Sequence, residues 1–190
     1  MARRIFLFDS PDRFTTGTVG EPGHRIFFLQ ARRAKRLVTV TIEKEQVSVL
    51  ADRLGQLLEE MRRRGVDVPL DVSDAARDTE PLDEPLLEQF RVGSMVLSWD
   101  GESPEIEIEA RAQVDEEEDD EEDDEEEDEE EDASAGGPDL LRVHLSAAAV
   151  GIFVERARRV VAAGRPLCPF CGLPLNPEGH ICPRRNGHIH

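Results

Sequence analysis

Residues 37–61 read LVTVTIEKEQVSVLADRLGQLLEEM, and this stretch decides the fold class. Val38, Val40 and Ile42 alternate with threonines, a pattern that predicts a half-buried β-strand. After Ile42 the spacing of apolar residues changes from two to three or four, which predicts an amphipathic helix. Its apolar face is expected to consist of Val47, Leu50, Leu54, Leu57 and Met61. Three arginines followed by Gly65 predict the end of this helix.

A similar strand-and-helix pattern recurs 103 residues later. Residues 140–164 read LLRVHLSAAAVGIFVERARRVVAAG, and Ser146 is the expected N-cap of the second helix. The shift places Leu37 on Leu140 and Val47 on Val150. One interpretation is a duplicated strand-strand-strand-helix unit. The alternative is that any two amphipathic strand-helix units resemble each other.

The remaining apolar segments predict further strands, and together they define the fold class and the domains. The expected strands cover residues 5–8, 14–19, 26–29, 90–99 and 105–110, whereas 66–84 is expected to be a loop. The predicted fold is therefore α+β: a mostly antiparallel sheet with two main helices on one face. A core is expected at 1–165, with halves at 1–65 and 86–165, followed by a small tail at 166–190.

The charge of the chain is concentrated in one segment. Residues 115–132 are eighteen consecutive acidic residues, and removing them from the total of 42 leaves 24 acidic against 23 basic residues. Like charges repel one another and offer no apolar surface, so 115–137 is expected to be a disordered acidic insertion. It is either a solubility linker or an electrostatic contact that binds a basic partner or mimics nucleic acid.

The tail carries the clearest chemical motif. Cys168-Pro-Phe-Cys171-Gly is followed by His180-Ile-Cys182-Pro, and these are the three cysteines of the chain. Cysteine thiolates and a histidine are the ligands that structural zinc prefers, in a tetrahedral arrangement. We therefore predict a structural zinc site at Cys168, Cys171, His180 and Cys182. His188 is the alternative fourth ligand.

Two other readings of the cysteines are less consistent with the sequence. A redox dithiol expects a strand before the cysteine pair and a helix after it, but a proline-rich segment follows Cys171. A disulfide would leave one of the three cysteines unpaired, and it would require an oxidising compartment. The N-terminus has neither a long apolar segment nor a cleavage site. The expected location is therefore the cytoplasm.

The sequence supports two classes of function. The first is a non-enzymatic adaptor or regulator that contacts a protein or nucleic acid; clustered basic residues at 32–36, 62–64 and 156–165 are compatible with an anionic partner. The second is a hydrolase or transferase with a cleft between the halves, using Asp9, Asp12 or His24. Turn-forming aspartates account for the first two of these residues without catalysis. No phosphate-binding glycine loop or nucleophile elbow occurs.

Several short motifs carry a resemblance to a known family. These are IFLFD at 5–9, PDRF at 11–14, GTVG at 17–20, residues 25–31, and the closing CPFCG, Gly179-His180 and Cys182-Pro183. On these motifs the chain resembles an actinobacterial family of conserved proteins without an assigned function. The resemblance spans both halves and the tail, and it implies no activity.

Overall fold

Two helices and seven strands occur in the part of the chain that the structure describes. A computed structural model describes residues 3–21, 23–69, 73, 77–101, 103–114, 137–164, 168–172, 175, 182 and 184. In chain order the elements are β1 (Ile5–Asp9), β2 (Arg13–Val19), β3 (Ile26–Arg33), β4 (Arg36–Ile42), α1 (Lys44–Arg63), β5 (Glu88–Ser98), β6 (Glu105–Ala112), β7 (Leu140–Ser146) and α2 (Ala147–Ala162).

The seven strands form one sheet in the order β1-β7-β6-β5-β4-β3-β2. The β2–β3, β3–β4, β5–β6 and β6–β7 pairs are antiparallel, which confirms the predicted α+β class. The β4–β5 and β1–β7 pairs are parallel. A helix connects β4 to β5, as expected for a crossover between parallel neighbours. Each half therefore contains three antiparallel strands followed by a helix. That the two halves arose by duplication stays a prediction.

The helices pack against each other and share one core with the sheet. Lys44 at the start of α1 lies beside Gly164, just after α2, and Gly55 faces Arg158, so the helices run antiparallel. A single cluster of buried apolar residues includes Phe8, Leu54 and Phe153. The predicted face of α1 is correct except that Leu58, rather than Leu57, is buried.

Both helices begin with a polar side chain that satisfies a free backbone group. The Ser146 hydroxyl accepts a hydrogen bond from the Ala149 N–H at 3.3 Å, which confirms the predicted N-cap. In α1 the N-cap residue is Glu43, and the Gln46 side chain in the first turn accepts from the Glu43 N–H at 2.9 Å. Helix α1 ends before Gly65, whose φ of 84° suits glycine. None of the described helices has the length and apolar character needed to span a membrane.

The strands at one end of the sheet are buried on both faces, which corrects the expected half-buried pattern of β4. Thr39 is 1% exposed, and Thr15 and Thr16 of β2 are fully covered. The loop between α1 and β5 packs over these strands. Gln30 of β3 donates to the Asp83 carbonyl and accepts from the Asp83 N–H, both at 2.9 Å. The loop thus supplies hydrogen-bond partners for Gln30 and, through Asp78, for Thr15, whereas Thr16 donates to the Phe28 carbonyl within the sheet. Polar side chains can be buried here because each has a partner.

The expected basic connection at 32–36 is shorter in the structure, since β3 extends to Arg33 and β4 begins at Arg36. The acidic run at 115–132 and the proposed boundary at 165/166 lie outside the described residues. The division into a core and a zinc-binding tail therefore stays a prediction.

Candidate metal centre

The first cysteine pair lies on a tight turn. The Gly172 N–H donates to the Cys168 carbonyl at 2.8 Å, so the chain reverses within five residues. Gly172 has a φ of 75°, a conformation that glycine adopts without steric strain. The turn brings the side chains of Cys168 and Cys171 to one side.

The third cysteine joins the same cluster from the second half of the tail. The Sγ atoms of Cys168, Cys171 and Cys182 all lie within 4.8 Å of one another. Cys168 is 3% exposed and Cys182 is 0% exposed, whereas Cys171 is partly exposed. The Arg184 guanidinium donates to the Phe170 carbonyl at 3.3 Å and further links the two halves.

The spacing of the sulfur atoms fits a shared metal ion. Cys168 Sγ and Cys182 Sγ lie 3.9 Å apart. Zinc–sulfur bonds of about 2.3 Å at tetrahedral angles place two sulfur ligands about 3.8 Å apart. A disulfide requires a sulfur–sulfur distance of about 2.05 Å, so the arrangement is not a disulfide. Among the described residues, this is the one group with ligand spacing suited to a metal.

The three cysteines therefore come together as the sequence predicted. His180, the predicted fourth ligand, and His188, the alternative, both lie outside the described residues. The fourth ligand stays a prediction. Three thiolates favour a soft or borderline metal such as zinc over magnesium or calcium, whose ligands are oxygen atoms.

A protein-family model described as "Protein of unknown function (DUF3090)" matches residues 6–182. The chain belongs to this family. The matched range contains the whole sheet from Phe6 onward, both helices and all three cysteines. No curated protein and no solved structure gives a significant match.

The candidate catalytic residues of this DUF3090 protein have structural contacts of their own. Asp9 binds His144, and Asp12 accepts a hydrogen bond from the Ala34 N–H at 2.6 Å in the β3–β4 turn. His24 lies in the β2–β3 connection, at the opposite end of the seven-residue strand β2 from Asp12. The three side chains therefore do not converge on one cleft.

Sequence reasoning missed a histidine held between two carboxylates on the outer surface of the sheet. His144 Nδ1 lies 2.6 Å from Asp9 Oδ1, and Nε2 lies 2.7 Å from Glu107 Oε2. Only a doubly protonated imidazole donates to both. Burial favours the neutral ring, but the hydrogen bonds and charges of Asp9 and Glu107 outweigh it and raise the pKa of His144. The signal was weak because the three residues come from three separate strands.

A second missed cluster is centred on Asp78, which receives hydrogen bonds from Arg13, Thr15 and Arg156. Arg156 is 6% exposed, so it cannot belong to the exposed basic cluster expected at 156–165. Its Nε donates to the Thr16 carbonyl at 2.6 Å. Arg156 therefore connects α2, β2 and the α1–β5 loop.

Proposed function

We propose that this protein binds one structural zinc ion through Cys168, Cys171, His180 and Cys182 and acts as a non-enzymatic adaptor or regulatory protein. The observation that carries the proposal is the convergence of three sulfur atoms from two parts of a short tail. Such a tail has too few apolar residues to form a core, so a metal would supply much of its folding energy.

The ligand set supports a structural rather than a catalytic metal. Four protein ligands complete the tetrahedral coordination of zinc and leave no position for a substrate or water. The candidate catalytic residues Asp9, Asp12 and His24 belong to turns, connections and strand contacts instead. The metal would therefore act by shaping a surface for a partner.

Two side chains at the metal turn suit such a surface. Phe170 lies between the paired cysteines and is 48% exposed, and exposed Arg184 contacts its carbonyl. Aromatic residues and arginine are enriched where proteins bind one another, and aromatic rings also stack on nucleic-acid bases. We infer that the partner is a protein or nucleic acid, met in the cytoplasm where thiolates stay reduced.

The metal part of the proposal is tested by zinc analysis of gently purified full-length protein. We expect about one zinc ion per chain, as the four-ligand set requires. Cys171→Ser should lose it, while the urea-induced unfolding of the core stays unchanged. Metal-free wild-type protein, or a Cys171→Ser variant that retains wild-type zinc affinity, would contradict the assignment.

The adaptor part is tested separately by affinity capture from the native cytoplasm, with and without nuclease. Wild-type protein is compared with Cys171→Ser and with Phe170→Ser, which should keep zinc but lose part of the contact surface. We expect a partner that both variants capture less efficiently. If both variants capture the same molecules as the wild type, zinc is structural but the tail is not the contact surface.

A further inference from the structure

A groove separate from the metal centre runs between α1 and α2. It encloses about 830 Å³ and is bounded on its third side by Pro69, Ser73 and Arg77 of the α1–β5 loop. This volume is within the range of about 300–1,000 Å³ that is typical of small-molecule sites. The groove exists partly because Gly55 of α1 and Gly151 of α2 carry no side chain along its length.

The groove has an apolar floor and a charged rim. Leu58 and Val154, which are 5% and 6% exposed, form part of the floor. Among the residues that the structure describes, the charged ones lining the groove are four arginines and two glutamates: Arg62, Arg77, Arg158, Arg159, Glu59 and Glu155. The described part of the rim therefore has two positive charges in excess.

The ion pairs of these residues show which arginines account for the excess positive charge. Glu155 is shared by Arg159, at 3.1 Å, and Arg77, at 3.8 Å. Arg158 has a long, exposed contact of 3.8 Å with Asp52. Arg62 donates through Nη2 to the Pro69 carbonyl at 2.5 Å, and no described residue accepts from its buried Nε. A buried donor without an acceptor is costly, so a ligand oxygen that accepts from Arg62 Nε would be stabilised there.

The helical spacing relates this charge to the apolar floor. Arg62 lies seven residues after Gly55, about 10 Å along the helix axis, and Leu58 lies between them on the same face. Gly55 faces Arg158, so a second cation is at the far end. The groove thus offers the Arg62 guanidinium at one end, an apolar path past Leu58, and the positive charge of Arg158 at the other end.

We propose that this groove binds a small amphipathic organic anion, with a carboxylate or phosphate head at Arg62 and an apolar body along Leu58 toward Gly55. The guanidinium suits either head because both present paired oxygen acceptors. The apolar body would cover the floor and exclude water from the ion pair, which strengthens it.

The binding test uses full-length, zinc-loaded protein and the fluorescent anion 8-anilinonaphthalene-1-sulfonate. We expect saturable binding of one probe per chain, and weaker binding of uncharged N-phenyl-1-naphthylamine, which has the same rings without the sulfonate. Decanoate and decyl phosphate then compete for the site below their micelle concentrations. The stronger competitor identifies the head group, and failure of both to displace the probe would overturn the proposal.

Variants locate the site. Arg62→Ala should weaken binding by about tenfold, since a hydrogen bond to a charged group contributes about 1.5 kcal/mol and 1.4 kcal/mol is a factor of ten. Arg53→Ala removes an arginine from α1 outside the groove lining and should leave affinity within about twofold. Equal effects of these two changes would contradict a site at Arg62.

Gly55→Leu tests the groove without changing a charge. A Cβ at Gly55 would lie 2.9 Å from Arg158 Nη2, the far end of a flexible side chain, so the helix can accept it. Leucine also has the higher helix propensity, so the thermal unfolding midpoint should not fall. We expect probe binding to be lost because leucine occupies the apolar path. A folded Gly55→Leu protein with wild-type affinity would show that the probe binds elsewhere.

Discussion

Arg13 donates two parallel hydrogen bonds to the carboxylate of Asp78. Nε lies 3.0 Å from Oδ2, and Nη2 lies 2.8 Å from Oδ1. Arg156 adds a third contact at 3.0 Å, so one carboxylate pairs with two arginines that are each at least nine-tenths buried. Arg13 also pairs with Asp83 at 2.9 Å. Because Arg13 belongs to β2 and Arg156 to α2, Asp78 connects the α1–β5 loop to that strand and to that helix.

Asp78→Asn should lower the free energy of unfolding by about 3 kcal/mol, because the change removes the carboxylate partner of buried Arg156 and one of the two carboxylates that pair with buried Arg13. Urea-induced unfolding at neutral pH measures the effect. Asp67→Asn, at an exposed position after α1, is the matched control and should change stability by less than about 0.5 kcal/mol. Equal effects at both positions would show that the buried pair does not stabilise the loop.

The same carboxylate predicts an acid-dependent loss of stability. Burial favours its neutral form, but hydrogen bonds from Arg13 and Thr15 and the charges of both arginines outweigh burial and lower the pKa of Asp78. A lowered folded-state pKa contributes stability that is present above the unfolded pKa of about 3.9 and is lost as pH falls further. The difference between wild type and Asp78→Asn should therefore shrink below about pH 4. A difference that does not depend on pH would argue against this titration.

His144 predicts a pH dependence of stability that is opposite in sign to that of Asp78. Its raised pKa means that the contribution of the Asp9–His144–Glu107 contacts is complete below the unfolded pKa of about 6.5 and is lost as pH rises through the folded value. Arg142 also faces this group, 3.7 Å from Glu107. His144→Gln should cost roughly 1 kcal/mol at pH 6, since the imidazole is partly exposed, and less at pH 9.

Histidine resonances in NMR titrations give the midpoint for His144 directly, and unfolding at both pH values gives the energy. His24→Gln is the matched control, because His24 lies in the β2–β3 connection and has no such carboxylate pair among its described contacts. If His144 remains neutral at pH 6, the double-carboxylate geometry does not hold a charged ring.

Gly17 tests how closely the α1–β5 loop covers the sheet. A Cβ at this position would lie 2.7 Å from Leu82 Cγ and 2.9 Å from Leu82 Cδ2. Gly17→Ala should therefore destabilise the protein by about 1–3 kcal/mol through overpacking. The double variant Gly17→Ala with Leu82→Ala should lose less stability than the two single changes added together. Additive losses would indicate that the residues do not touch.

The local elements were predictable because apolar spacing is a local property of the chain. The strand and helix within 37–61 and their counterparts within 140–164 follow from periods of two and about 3.6 residues. Strand order could not be read in the same way. Parallel pairing of β1 with β7 joins residues 135 positions apart, such as Ile5 and Leu140, and no local pattern encodes that choice.

The cysteine cluster was predictable where its members are close together in the sequence. Cys168 and Cys171 share one turn, so the sequence brings them together directly. The Asp78 cluster had only a partial signal, namely a charged Arg156 three residues after Phe153 on the apolar face of α2. Its partner lies 78 residues away in a segment without periodicity. Buried ion pairs of this kind depend on tertiary contacts that composition does not reveal.

The last prediction concerns the fourth ligand of the proposed zinc site. His180 is two residues from fully buried Cys182, so their Cα atoms lie within about 7 Å, whereas the six-residue separation of His188 allows about 20 Å. A ligand beside a fixed cysteine needs less ordering of the chain than one at the terminus. His180→Ala should weaken zinc binding by at least about a hundredfold in competition with a chelator. Changing a residue that only supports a ligand already lowers metal affinity by about 10–100-fold, and the loss of a direct ligand should cost no less. His188→Ala should leave the affinity unchanged. Cobalt substitution checks the result independently: His180→Cys should restore four-ligand binding and shift the visible bands to those of a four-sulfur site. The reverse pattern, with His188→Ala alone losing the metal, would assign the fourth position to His188.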